Sequence, residues 1–189
     1  MLATYIELGF DHILDWEGYD HILFVVVLAV AYPIREWRRI LVLVTAFTVG
    51  HCLTLALAGL QVIQVQASFV ELLIPVTIII SALLNIVESY TKSLQHWLHY
   101  LLTLLFGLIH GLGFSNFFKA LVSADDSIVP MLLSFNIGVE LGQLVVVALV
   151  LVVSYSLLYL VKVVSHRHIT IVVSALCGLL ALLILLGIL

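Results

Sequence analysis

Phe106-Gly107-Leu108-Ile109-His110-Gly111-Leu112-Gly113-Phe114 sets one histidine and three glycines in an otherwise apolar run. Glycine weakens a helix but lets another backbone or a ligand come close. A polar side chain in a bilayer is costly, and function is the usual reason to keep one. His110 therefore reads either as a helix–helix hydrogen bond or as part of a site, and the surrounding chain decides between them.

That chain is 189 residues long, 64% hydrophobic and 10% charged, with a mean hydropathy of +1.30. A soluble domain carries roughly 25% charged residues. This chain cannot cover itself with a polar surface, so it belongs in a membrane, with lipids as its surroundings. Cys52 and Cys177 each lie in an apolar run and form neither a disulfide framework nor a zinc-finger spacing. The seven Lys and Arg residues are scattered, which excludes a basic patch for nucleic acid. The early acidic residues Glu7, Asp11, Asp15, Glu17 and Asp20 do not fit the basic start of a cleavable signal peptide. No linker or low-complexity segment divides the chain, so a single transmembrane helical domain over 1–189 is expected.

Spanning helices need roughly 20 mostly apolar residues. Outward from the opening stretch, the hydropathy predicts six spans, at about 18–35, 39–60, 69–89, 95–115, 130–155 and 169–188. Residues 1–17 form a short amphipathic segment expected at the interface. The backbone of an open-chain span can satisfy itself only as a helix, so the fold class is an all-α polytopic bundle. Arg35, Arg38, Arg39, Lys92, Lys162 and Arg167 fall in loops on one side, which the positive-inside rule makes cytoplasmic. Lys119 is the exception, offset by Asp125 and Asp126. Both termini are then expected outside, in a multi-pass protein of a bacterial-type cytoplasmic (inner) membrane.

A rise of about 1.5 Å per residue converts position into depth. His21 is 14 residues from Arg35, roughly 21 Å up. His51 is 12 residues from Arg39, roughly 18 Å up. His110 is 13 residues from the interfacial Trp97, and Glu140 is 15 from Tyr155, both again roughly 20 Å up. Four helices thus place an ionisable group at one level, with Asp20 beside His21. Histidines that merely glued helices together would have no reason to share a height, so the coincidence favours one common site.

The neighbouring faces are coherent. Phe47, His51, Thr54 and Ala58 follow the 3–4 spacing, as do Asn136, Glu140 and Gln143. Glu71, Ile74, Ile78, Ser81, Asn85 and Glu88 trace a stripe along the third span. Asn136, Gln143, Thr54, Glu71, Ser81 and Asn85 are therefore supporting or path residues, with interhelical hydrogen bonding as the plainer alternative for Ser81 and Asn85. His96, His99, His166 and His168 read as interfacial and non-functional. Imidazole and carboxylate together suit a divalent transition metal: nickel, cobalt or zinc. No Gly-x-Ser-x-Gly elbow and no His-Glu-x-x-His motif is present. A haem held by His51 and His110 is conceivable, but it would leave Asp20 and Glu140 without a role.

Five blocks carry a resemblance. They are His12-Ile13-Leu14 with Gly18-Tyr19-Asp20-His21-Ile22-Leu23-Phe24, Phe47 to Leu55, Glu71 to Asn85, Phe106 to Phe114, and Phe135-Asn136-Ile137-Gly138-Val139-Glu140-Leu141-Gly142-Gln143. In this order they resemble HupE/UreJ-type membrane proteins, specifically their second branch. The resemblance implies a relation to nickel or cobalt uptake, a metal signature of an N-terminal histidine followed by an Asp-His pair, and metalloenzyme-maturation partners. His12 and Asp20-His21 match that signature with a longer gap between them.

Two mechanisms follow. One is a divalent-cation permease that captures metal with His12, Asp20, His21, His51, His110 and Glu140 and passes it inward along Asn85 and Ser81. The other is an intramembrane metal-dependent hydrolase, with three histidines and a carboxylate around a zinc-like ion and Glu140 or Asp20 as general base. A structural or sensory metal- or haem-binding protein is the third option. The sequence leaves open which metal binds, whether one or two ions bind, and the oligomeric state.

Overall fold

The computed structural model describes residues 2–15, 18–91, 96–121, 128–161 and 163–188; the side chains of His96 and of residues 115–121 are outside the described set. Lys92, Asp125, Asp126, Lys162 and the Lys119 side chain, which entered the charge reading, therefore lie outside the described residues. The described residues form helices and no strand: α1 (Leu2–Leu14), α2 (Tyr19–Val30), a 3-10 turn (Ile34–Glu36), α3 (Trp37–Gly59), α4 (Ala67–Thr91), α5 (His96–Leu121), α6 (Ile128–Leu160) and α7 (His166–Leu185). Five helical segments, ending with α3, α4, α5, α6 and α7, are long and apolar enough to cross a membrane. The protein is an all-α integral membrane bundle, and the last five expected spans match these helices to within a few residues.

The N-terminal third departs from expectation. The first span was to run to Arg35, but α2 stops at Val30 with 12 residues, about 18 Å of helix and too short for a core roughly 30 Å thick. Pro33 follows, and the residue before a proline is pushed out of the helical region. Helix α1 runs alongside α6. A Cβ on Gly9 would strike Phe135, one on Gly138 would strike Ile6, and Gly142 lies against Phe10 and Ile13. Residue numbers rise together, so the two helices are parallel and close-packed through small residues. Its exposed side carries Thr4, Glu7 and Asp11, while Gly9 and Ile13 are buried. Val25 and Ala29 of α2 then join Val146 and Val147 further along α6 in the same core as Ile13 and Phe135. Helices α1 and α2 thus pack one after the other along α6.

The glycines of the opening stretch have a matching use. Gly107 lies against the Phe47 carbonyl and Gly111 against the His51 carbonyl, while Gly50 of α3 faces Leu104 and Leu108. Helices α3 and α5 are thereby pressed backbone to backbone and parallel, which brings His51 and His110 to one level.

Candidate metal centre

The break between α1 and α2 puts His12 near the end of one half-helix and Asp20 and His21 at the start of the next. The C-terminal end of α1 contributes partial negative charge there, and such half-helix ends recur at cation sites of broken membrane helices. Ring centroids of His12 and His21 are 4.5 Å apart, and those of His21 and His110 are 5.1 Å apart. His51 lies 6.1 Å from His12 and 6.3 Å from His21 on the same measure. Two overlapping sets have ligand atoms within 4.8 Å of one another: His12, His21 and His51, and Asp20, His21 and His110.

Hydrogen bonds assign the tautomers. The Asp20 carboxylate accepts from His21 Nδ1 at 2.9 Å and from the His21 backbone N–H at 2.8 Å. Asn136 spends its amide donor on the Leu132 carbonyl at 2.8 Å, so its oxygen accepts from His51 Nδ1 at 3.3 Å. Thr77 donates to the Ile74 carbonyl at 2.7 Å, so its hydroxyl oxygen accepts from His110 Nε2 at 3.2 Å. Each of these three rings is left with a bare lone pair on its other nitrogen. Those nitrogens, His21 Nε2, His51 Nε2 and His110 Nδ1, are buried without a hydrogen-bond partner, as is His12 Nε2.

An unsatisfied buried polar atom costs about 1–3 kcal/mol, so four together cost roughly 4–12 kcal/mol. That is about the size of a whole domain's folding stability. A bound cation removes the cost, because each lone pair becomes a ligand. Two ligands at about 2.1 Å from one ion are at most about 4.2 Å apart, close to the 4.8 Å within which the donor atoms of each set lie. The donor chemistry fits a borderline divalent ion, for which imidazole is well suited. Ligating histidines typically donate their second nitrogen to a carboxylate or carbonyl, and Asp20, Asn136 and Thr77 occupy those positions.

Aromatic rings enclose the cluster. Phe47 and Phe135 stack on His51 at 6.2 and 6.3 Å, Phe24 and Phe47 lie 5.3 and 5.2 Å from His110, and Phe114 lies 4.0 Å from His12. His51 and His110 are fully buried behind them. An open cleft of about 580 Å³, lined by Leu8, Asp11, His12, Leu14, Asp15 and Phe114, leads to His12 between acidic side chains.

A family model described as HupE / UreJ protein matches residues 1–187. The chain belongs to the HupE / UreJ family. No curated protein and no solved structure matches it.

Not every residue expected at the site of this HupE / UreJ protein is brought to it. Glu140 accepts a hydrogen bond from Thr45 at 2.7 Å. It sits four residues along α6 from Asn136, about 6 Å lower, and belongs to neither ligand set. Gln143 accepts from Thr48 at 2.9 Å. Thr54 returns its hydroxyl to the Gly50 and His51 carbonyls of its own helix. Glu71 is exposed in the first turn and a half of α4. Ser81 donates to the Thr77 carbonyl, and Asn85 ties α4 to the Val27 carbonyl and the Ser174 hydroxyl.

Sequence reasoning missed Thr77 and the aromatic enclosure. Thr77 was findable: it lies three residues after Ile74 and four before Ser81, on the stripe already traced. That reasoning also gave His99 no partner. His99 Nε2 pairs with the Glu88 carboxylate at 2.8 Å, with side chains only 15% and 22% exposed.

Proposed function

We propose that this protein takes up a divalent transition metal, nickel, cobalt or zinc, across a bacterial inner membrane, using His12, His21, His51 and His110 as the capture site. The observation that carries the reading is that four buried imidazole nitrogens lack a hydrogen-bond partner in two ligand sets that share His21. The ion is cargo. Asp20, Asn136 and Thr77 hold the rings in the ligating tautomer, and the acidic cleft at Asp11 and Asp15 concentrates cations at the outer mouth. The family's relation to nickel and cobalt supports transport, and so does the position of the cluster between the outer cleft and a second cavity towards the arginine-bearing end. Metalloenzyme-maturation proteins are the partners this reading proposes.

A metal-dependent hydrolase is the second reading. Its support is that His12, His21 and His51 with Asp20 nearby have the composition of a catalytic zinc site. Against it, the two carboxylates expected as general base are already engaged, Asp20 with His21 and Glu140 with Thr45.

Elemental analysis of the purified protein, before and after His110→Ala, tests the site. Flux of Ni²⁺, Co²⁺ and Zn²⁺ into proteoliposomes tests its use. Stoichiometric metal that is lost in the variant, together with flux, supports uptake. Metal without flux leaves the hydrolase reading, and absence of metal overturns both.

A further inference from the structure

Below the histidine cluster the structure continues in a way the capture site does not explain. Phe24 packs on Phe47 at 4.9 Å and edge-on against Phe106 at 6.0 Å. Phe24 and Phe47 touch His110 from below. On the far side of Phe106 is a small void of about 30 Å³, lined by Ser81, Asn85, Thr103 and Tyr32 among others. That is room for about one or two water molecules beside polar side chains. Tyr32, Asn85 and His99 line both this void and a much larger cavity of about 590 Å³, whose wall also carries Glu36, Arg39 and Glu88.

We propose that Glu88 and His99 form a second, weaker divalent-cation station in this lower cavity, separated from the histidine centre by the aromatic layer of Phe24, Phe47 and Phe106. The proposal rests on the uptake reading and names the route out of the capture site.

The wall's two glutamates are balanced by its two arginines, so it is donor chemistry that favours a cation here. One carboxylate and one imidazole are borderline donors of the same kind as the capture site. They are two ligands instead of four, and their partly exposed position leaves the remaining places to water. Transport needs binding strong enough to enter and weak enough to leave, so a poorer site after a richer one suits release. The cations nearby are drawn away: Arg39 is paired with Glu36 at 2.6 Å, and Arg167 lies over the Tyr90 ring at 4.1 Å. His166 shares the cavity and lies 3.4 Å from the Thr170 hydroxyl. Burial, then the negative charge of Glu88, pushes the Tyr32 phenol up from its ordinary value, so it stays a neutral donor on the cavity wall. The aromatic layer fits a barrier because its three rings are apolar and close-packed, Phe24 and Phe47 each being 1% exposed.

The test uses the full chain in proteoliposomes with Co²⁺ as probe, following flux and, by equilibrium titration, bound cobalt. Glu88→Gln and His99→Gln should each lower flux about tenfold or more, the scale seen when a metal ligand or its partner is lost. Both should keep the tight cobalt equivalent of the capture site, which also certifies folding. Phe106→Ala should raise flux. Wild-type flux that persists in both polar variants overturns the station while uptake stands. Unchanged flux in Phe106→Ala overturns the barrier. No flux in the wild type, with cobalt bound, overturns the uptake reading and the station with it.

Discussion

Asp20 grips His21 twice, through the ring Nδ1 at 2.9 Å and through the backbone N–H at 2.8 Å. One carboxylate thus fixes both the start of α2 and the tautomer of the histidine that belongs to both ligand sets. Asp20→Asn keeps the shape and an oxygen acceptor but removes the charge that raises imidazole basicity. Its metal affinity should fall about 10- to 100-fold, read from cobalt absorption on titration, with little change in helix content by circular dichroism.

Asn136 and Thr77 act on His51 and His110 as Asp20 acts on His21. Asn136→Leu and Thr77→Val each remove the acceptor that holds a ring N–H outward. Each should weaken metal binding by about tenfold or more, and a ligand histidine should show exchange between tautomers in nitrogen NMR. Binding equal to wild type in both would remove these residues from the site.

Glu140 is the sharpest discriminator between depth and position. It shares a predicted level with the histidines, yet its carboxylate is bonded to Thr45 about one helical turn away. Glu140→Gln should leave metal stoichiometry and affinity unchanged, with a stability cost of about 0.6 kcal/mol, typical of an interhelical hydrogen bond in a membrane. Loss of metal in this variant would return Glu140 to the site.

The glycines of α5 differ in what they face. A side chain at Gly107 or Gly111 would meet the Phe47 or His51 carbonyl, whereas one at Gly113 would meet only the flexible ends of Ile74, at 3.2 Å, and Val70. Gly107→Leu and Gly111→Leu should therefore destabilise by about 1–3 kcal/mol or more and lose metal. Gly113→Ala should stay close to wild type in thermal unfolding of detergent-solubilised protein.

Asp11 and Asp15 line the outer cleft beside His12. Asp11→Asn with Asp15→Asn should slow metal binding and blunt its dependence on ionic strength, because long-range attraction is screened by salt. The final metal content should not change, which stopped-flow quenching and equilibrium dialysis together would show.

Much of the site was legible in the sequence because helices of fixed rise convert residue number into height. His21, His51 and His110 share a level for that reason, and the structure gathers them with His12 and Asp20. Height is one coordinate out of three. It is good only to about a turn, so it cannot separate Asn136, which reaches His51, from Glu140, four residues on, which reaches Thr45. Nor does hydropathy register a pair such as Glu88 and His99, whose partners come from different helices.

The sequence by itself determined that the chain is an all-helical membrane protein, where its long helices run, and that its buried histidines lie at one depth. Those properties follow from local hydropathy and from the need of each backbone segment to satisfy its own hydrogen bonds in lipid. Only the tertiary structure decided that α1 lies against α6, that His12 reaches His21, and that Thr77, Asn136 and Asp20 leave buried imidazole nitrogens without a partner. Those are matters of which helix faces meet. They were settled by small-residue contacts such as Gly9 with Phe135 and Gly107 with Phe47, where close backbone packing between distant segments outweighs any preference the segments have alone.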